Sequence, residues 1–546
     1  MGILLVCPLC THCVSPVSTP HTYPPPPPQV RKLVSQRVLV VGLGSTGTET
    51  AKNIILQGTR AVTLHDPRPV TVADLGLNFT LAENSIGQPI DLCSVPRLQE
   101  LNKECVVTRA ASITEEVIKM HTVVVVTSYM PRDELVKWNN VCRNHMTGST
   151  PTPISFLYSF TGGMFASVFV DHGDTHTIHD KDGEMPLVRI VNSITNDAAG
   201  GLVRYTVPDG QVSVAIDESM FVEFEDVEGM TAVNGNTYPV KRNKGDPVNT
   251  LRIAATDAFP PYVTNGTFTE KKQPCVVNFR SFEAALASPG ELPMTDMINF
   301  GSEYMQHTAL AAVYQFQADT GALPAANSSS DAAAVVLLAQ KLDADVDVKL
   351  VTAFATHAAV EMQPMGAFLG GVVAQEVVKQ SGKYTPINGF LHFNACETLP
   401  NVKPTDTDPR GGRYDNLIQV FGREFVDKLG NLNYFMVGCG ALGCEFLKNF
   451  AMNGVCCGPN GKLTVTDADR VELSNLARQF LFREDTVGKP KSTSACAKAT
   501  QMNNDFKPEV SQATSYRPLC SHCPPRPHVC VLTPPPPAGP RNVCGG

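Results

Sequence analysis

Phe435-Met-Val-Gly-Cys-Gly-Ala-Leu-Gly-Cys-Glu445 reads as a buried strand that runs through Gly438-x-Gly440-x-x-Gly443 into a helix, whose apolar spacing continues over 446–452. An earlier stretch, Val38-Leu-Val-Val-Gly-Leu-Gly-Ser-Thr-Gly-Thr-Glu49, places Gly42, Gly44 and Gly47 at the same spacing. The displacement is 396 positions at the glycines and 401 at Asp66/Asp467, Phe79/Phe480 and Gly87-Gln-Pro/Gly488-Lys-Pro, so about five residues were inserted near 456–460. Residues 37–102 and 434–502 are divergent copies of one unit.

A lone glycine fingerprint says little; two, each after an apolar strand and each followed by an acid at the end of the next strand, specify a mononucleotide site. The glycines let backbone approach phosphate, and the following helix presents free N–H groups and its positive dipole end. Aligned residue by residue, the copies differ where charge matters: the later has Arg478 and Lys491, the earlier Leu77 and Ile90. Arg as a planar fork and Lys as a point charge suit polyphosphate, whereas Leu and Ile suit packing. The later copy reads as the working nucleotide site and the earlier as a structural partner. A pair of dinucleotide-binding oxidoreductase units accounts for the glycines but not for this exchange of charge.

A chain of 546 residues holds several domains, since single cores stop growing near roughly 250–300 residues. The net charge of −8 gives no basic footprint for nucleic acid, and no apolar run reaches the roughly 20 residues of a membrane span. Of 17 cysteines, seven lie in the termini (Cys7, Cys10, Cys13, Cys520, Cys523, Cys530, Cys544) and ten are scattered irregularly, which fits reduced thiols better than a disulfide framework. The expected setting is cytoplasmic and nuclear.

The expected fold is α/β: two doubly wound Rossmann-like units, the second incomplete, with an inserted small β domain and a helical bundle. Residues 1–30 and 519–546 read as Pro- and Cys-rich disordered tails. Cys7-x-x-Cys10-x-x-Cys13 and Cys520-x-x-Cys523 lack four well-spaced ligands, so no metal site is assigned. Residues 31–184 form the first part of the earlier unit, with strands at 38–41, 62–64, 122–127 and 164–170, the last two read as central strands of a mostly parallel sheet. Period-2 alternation at Gln211-Val-Ser-Val-Ala-Ile and Phe221-Val-Glu-Phe-Glu, with a turn at Asn234-Gly235, marks a β insertion at 185–265. The Ala-rich span 266–350 reads as helices, 351–405 as the closing part of the first unit with an apolar helix at 365–381 and a strand at 390–393, and 406–518 as the later unit.

The ordered motifs resemble those of the single-chain ubiquitin-activating enzymes over roughly residues 37–517: Val95-Pro-Arg-Leu-Gln-Glu-Leu-Asn, Val227-Glu-Gly-Met-Thr-Ala-Val-Asn-Gly, Gly370-Gly-Val-Val-Ala-Gln-Glu-Val-Val-Lys, Arg413-Tyr-Asp and Val465-Thr-Asp-Ala-Asp-Arg-Val-Glu-Leu-Ser-Asn-Leu-Ala-Arg-Gln-Phe-Leu-Phe-Arg, besides the two glycine loops. The resemblance implies an inactive adenylation half, a first cysteine half-domain at 185–265, a four-helix insertion at 266–350 and an active adenylation half from 406. It implies ATP and Mg²⁺ as cofactors, with ubiquitin and ubiquitin-conjugating enzymes as partners. In the implied chemistry the C-terminal carboxylate of ubiquitin is adenylated and then passed to a cysteine as thioester. Gly438, Gly440, Ala441 and Gly443 are then expected to border the nucleotide and Asp467 the ribose. Asn475, Arg478 and Lys491 are expected at the phosphates, with Gln479 and Arg483 as second choices.

Two departures from the family pattern bear on activity. Ala477 stands where the family has Asn. The strand expected to precede the metal-binding aspartate falls at 523–528, which reads Cys-Pro-Pro-Arg-Pro-His and cannot be a central strand. The expectation is therefore an N-terminal half without the thioester domain or the domain that recruits conjugating enzymes, impaired in adenylation and poorly soluble as residues 410–546 alone. The alternative is a non-catalytic ubiquitin-binding fragment.

Overall fold

The computed structural model describes residues 28–207, 219–297, 299–402 and 404–511. Both terminal tails, the alternating segment at 211–216 and the segment at 523–528 lie outside the described residues, apart from 28–30. The chain divides into two compact units, one of residues 175–278 with 382–385 and the other of the remainder.

In the larger unit, Arg37–Val41 pairs in parallel with Ala61–His65 on one side and Val123–Val126 on the other. Val106–Arg109 extends the sheet beyond Ala61–His65, and Ser155–Gly162 extends it beyond Val123–Val126. Val38, Leu39, Val40 and all of Val123–Val126 are fully buried, as parallel strands covered on both faces require. The run at 164–170, read as a central parallel strand, is the strand Phe165–Asp171. It lies antiparallel to Ser155–Gly162 and second from the edge, because the chain reverses in a tight hairpin at Gly163, where φ is +56°. Gly389–Asn394 closes the seven-stranded sheet.

The helices Ser45–Leu56 and Gln363–Lys379 cross at unusually close range. A Cβ on Gly366 would lie 1.9 Å from Ser45 Oγ, and one on Gly370 would lie 2.3 Å from Glu49 Cβ. Four further helices, Phe282–Ala287, Ser302–Thr320, Ser329–Leu342 and Val348–His357, share a core with the sheet. Ser281, Ser328 and Asp347 cap the first, third and fourth by accepting backbone N–H bonds, so the last helix starts at the cap and runs past position 350.

The later copy repeats this plan on a smaller scale. Asn433–Val437, Lys462–Thr466 and Glu509–Val510 form a parallel sheet, with the helices Ala441–Asn453 and Lys491–Thr500 packed on it. The duplication extends to individual backbone bonds. Ile90 N–H donates to Arg68 O at 3.0 Å and Lys491 N–H to Asp469 O at 2.9 Å; Gly87 N–H donates to Val70 O at 2.9 Å and Gly488 N–H to Val471 O at 2.8 Å.

The copies meet through equivalent helices in a four-charge cluster in which Glu49, Lys52 and Lys448 are buried and Glu445 is partly exposed. Lys52 pairs with Glu49 at 2.7 Å and Glu445 at 2.5 Å; Lys448 pairs with Glu445 at 2.7 Å and with Glu49. Each residue has its counterpart 396 positions away, so the arrangement has approximate two-fold symmetry. Phe79 and Phe480 stack edge-to-face at 5.6 Å beside it, and Lys52 Nζ sits 4.5 Å from the Phe480 ring centre.

Among the described residues of the smaller unit, one sheet of six antiparallel strands runs in the spatial order Thr237–Pro239, Phe221–Glu225, Thr267–Glu270, Val188–Ile194, Leu202–Tyr205, Thr250–Arg252. Its sheet is centred on Thr267–Glu270, beyond the boundary at 265 read from the sequence. That strand belongs inside because Phe268 is fully buried between Val222, Phe224 and Tyr205 in the core of the sheet.

Candidate functional site

The loop after Asn433–Val437 turns at Gly438, where φ is +100°, and enters the helix Ala441–Asn453 at Gly440. Gly443 lets this helix sit against the loop: a Cβ there would lie 2.2 Å from Gly438 O. Gly438 N–H donates to Thr466 O at 2.8 Å, which ties the loop to the next strand. The Asp467 carboxylate at the end of that strand accepts from Cys439 N–H, and its other oxygen accepts from Asp469 N–H at 2.8 Å. Asp66 does the same in the first copy, accepting from Leu43 N–H at 2.9 Å.

The copies then diverge in charge. In the first, Arg68 forks onto Asp66 with bonds of 3.0 and 2.8 Å and consumes the carboxylate. Its counterpart is Asp469, which instead accepts from Lys491 Nζ at 2.9 Å. Lys491 is 8% exposed, and its charge reaches the loop, where it works against the deprotonation penalty of Cys439. The Cys439 thiol is nonetheless pushed up, chiefly by burial, and Cys444 is pushed up to about 12 for the same reason. Both are fully buried core fillers.

The space in front of the loops also differs. In the first copy a Cβ on Gly44 would lie 2.2 to 2.6 Å from the Glu361 carboxylate, and one on Gly42 would lie 2.6 Å from Ser128. In the second copy, nothing among the described residues lies within 4 Å of a Cβ built on Gly438 or Gly440. The loop, the first turn of the helix at Ala441, Asp467 and Lys491 lie together, with donors on one side and an acceptor on the other. These residues suit a nucleotide: backbone donors and an ammonium for phosphate, a carboxylate for ribose hydroxyls.

Sequence profiles of three families match the chain. The ThiF family profile matches twice, at residues 24–133 and 414–517, one match for each copy. The ubiquitin-activating enzyme E1 FCCH domain matches 209–272 and the E1 four-helix bundle matches 273–343. Ubiquitin-activating enzyme E1 2 of Triticum aestivum is 38% identical over 496 residues, covering 88% of this chain and 46% of the relative. Ubiquitin-activating enzyme E1 1 of Arabidopsis thaliana is 38% identical over 495 residues, with 88% and 45% covered. The Homo sapiens ubiquitin-like modifier-activating enzyme 1 is 38% identical over 489 residues, with 87% and 45% covered. The chain belongs to the ubiquitin-activating enzyme family. It spans about half the length of the relatives it matches.

Within this E1-family fold, the glycines, Ala441, Asp467 and Lys491 come together, while other expected residues are engaged elsewhere. Asn475 is buried, and its side-chain oxygen accepts from Glu472 N–H at 3.1 Å, the turn that Asp74 makes in the first copy by accepting from Thr71 N–H at 2.8 Å. Arg478 is exposed, its guanidinium donating to Ser474 O at 2.7 Å. Gln479 is buried, and its Oε1 has no hydrogen-bond partner among the described residues. Arg483 points to a small cavity with Phe79, Arg97, Glu100 and Lys498, and its Nε is 3.6 Å from Glu100. Sequence reasoning missed Asp469 and Glu361. Asp469 was legible as the acid replacing Arg68 in the duplicated register; Glu361 lies 316 positions from its partner Ser45 and carries no local signal.

Proposed function

We infer that the second copy is the adenylation site of this chain, taking ATP and the C-terminal carboxylate of ubiquitin or a close relative of it. The observation that carries this reading is the exchange of charge between the two loops: in the first, Glu361 sits against Gly44 and Arg68 neutralises Asp66, while in the second Asp469 stands in place of Arg68 and Lys491 lies alongside.

When bound, ATP supplies an α-phosphate at which the modifier carboxylate forms an acyl-adenylate with release of pyrophosphate. That carboxylate is already nucleophilic, so no side chain is required as general base. The chain's contribution is electrostatic. The N–H groups and dipole at the start of Ala441–Asn453, together with the Lys491 ammonium, stabilise the charge that builds on the phosphates. Asp467 would accept from the ribose hydroxyls of a bound nucleotide. Arg478, on an exposed turn where it donates to Ser474 O, is the further cation assigned to the polyphosphate. Among the described residues no group of three or more His, Cys, Asp or Glu could hold a metal ion, so no step is assigned to Mg²⁺.

Thioester transfer is a separate matter. The thiols of Cys105, Cys142, Cys396, Cys439, Cys444, Cys456, Cys457 and Cys496 are all pushed up by burial, the reverse of what an acyl-accepting thiolate needs. None of these eight thiols is assigned a role as acyl acceptor. ATP–pyrophosphate exchange in the presence of ubiquitin and Mg²⁺ tests the adenylation reading. Exchange that requires ubiquitin and collapses in Lys491→Ala supports it; a folded chain that binds ubiquitin with no exchange leaves a binding fragment instead.

A further inference from the structure

We propose that the glycine loop of the first copy is still an anion-binding site, that its resident ligand is the chain's own Glu361 carboxylate, and that a small oxyanion of the phosphate or carboxylate class takes its place once that side chain is shortened. Glu361 precedes the helix Gln363–Lys379 and reaches the N-terminus of the 12-residue helix Ser45–Leu56. Its Oε1 accepts from Ser45 N–H at 2.6 Å, from Ser45 Oγ–H at 2.8 Å and from Thr46 N–H at 3.4 Å. Two consecutive backbone donors and a hydroxyl converging on one oxygen at a helix start are the contacts such a loop makes with a phosphate oxygen. Gly44 is what admits it, since its missing Cβ is the space the carboxylate occupies.

The location is not incidental to the packing. Gly163 N–H donates to Val360 O at 2.7 Å and Ser45 Oγ lies 3.4 Å from Met362 O, so the segment carrying Glu361 is held on both sides of it. The same donors that would cradle a phosphate in a working copy here fasten residues 360–362 to the loop, at the point where the helix Gln363–Lys379 begins its close crossing over Ser45–Leu56. Burial pushes the Glu361 carboxyl up, and the Ser45 and Thr46 donors and the positive charge of Arg68, which also neutralises Asp66, work against that rise. The first copy has thereby kept the donors of an anion site and replaced the diffusible ligand with a covalently attached one. This does not depend on the nucleotide reading of the second copy.

The test is chemical rescue of the full chain, using Glu361→Ala with Glu361→Gln as the isosteric control. Thermal unfolding is followed in matched ionic strength with chloride, formate or inorganic phosphate. Glu361→Ala is expected to melt lower than wild type in chloride and to recover saturably, by roughly 1–2 °C or more, in tens of millimolar formate or phosphate. Wild type and Glu361→Gln, whose loop remains filled, should show a smaller shift, whatever the second loop contributes. Equal shifts in wild type and Glu361→Ala, or a folded Glu361→Ala indifferent to both anions, overturn the proposal. If Glu361→Ala is recovered folded from phosphate but not from chloride, the proposal stands. If neither buffer yields folded chain, Glu361→Asp, which withdraws the same charge by one methylene, is scored by the same comparison, and absence of rescue there overturns it.

Discussion

Lys448→Met is the perturbation whose size follows most directly from the geometry. Lys448 is fully buried and bridges Glu49, itself 2% exposed, and Glu445 across the junction of the two copies. Replacing it with an apolar chain of similar length leaves two carboxylates sharing Lys52, one of them with no access to water. Breaking a buried pair by removing one partner costs about 3–5 kcal/mol. With about 2.1 cal/mol/K of unfolding entropy per residue in a unit of this size, the expected fall in Tm is about 3–5 °C, read by differential scanning calorimetry or fluorescence. Adding Glu49→Gln leaves the single pair Lys52–Glu445 intact, so the double variant should be less destabilised than the sum of the singles by about 1–3 kcal/mol. Acid should act in the same direction. Burial disfavours the charged form of Glu445, but Lys448 and Lys52 outweigh it and hold its carboxyl well below the usual carboxylate range. A depressed folded value means that this stabilisation is complete above the unfolded value near about 4.3 and is lost as pH falls toward the folded one. A Lys448→Met chain that melts with wild type, or strictly additive variants, would refute the claim that the junction rests on this cluster.

Other outcomes follow from particular contacts. His392 and His307 are buried, bonded to each other at 3.0 Å, with His392 also bonded to Ser167 at 2.8 Å, and burial pulls both pKa values down. The unfolded chain therefore takes up protons that the folded chain refuses, so stability should fall as pH drops below about 6.5, and His392→Asn should flatten that dependence in Tm measured between pH 7.5 and 5.5. Asp467→Asn keeps an acceptor for Cys439 N–H but removes the charge offered to the ribose; ATP affinity measured by calorimetry should drop by about tenfold with little change in Tm, as expected for about 1.4 kcal/mol. Residues 410–546 produced alone should aggregate, because Leu56, Phe79 and Leu101 of the first copy pack on its core and Lys448 would lose Glu49; a sharp, reversible melt of that piece contradicts this.

The duplication was legible because it is written in identities that survive divergence: glycines where backbone must approach, acids at strand ends, and the Gly-x-Pro turn that recurs with the same backbone bonds. The exchange of Ile90 for Lys491 was legible for the same reason. The strand Ser155–Gly162 was not, since Ser155, Ser159 and Thr161 interrupt its apolar run although Ser155 and Ser159 are buried. The direction of Phe165–Asp171 was lost with it, because the hairpin joining the two strands was missed. The four-charge cluster could have been found, as Glu49/Lys52 recurs as Glu445/Lys448 at helical spacing, but a charged i,i+3 pair ordinarily marks a solvated face. Only the meeting of the two helices makes it a core. Glu361 and Ser45 are beyond any local pattern; their contact exists because Gly366 and Gly370 let two helices approach.

Photo-crosslinking with an azido analogue of ATP, followed by mapping of the labelled peptides, asks directly which of the two loops receives the nucleotide. Label on peptides from 438–491, competed by ATP and reduced in Lys491→Ala, is the expected result. Label on peptides from 42–90, where Glu361 accepts from the loop and Arg68 pairs with Asp66, would contradict the assignment of the working site to the second copy.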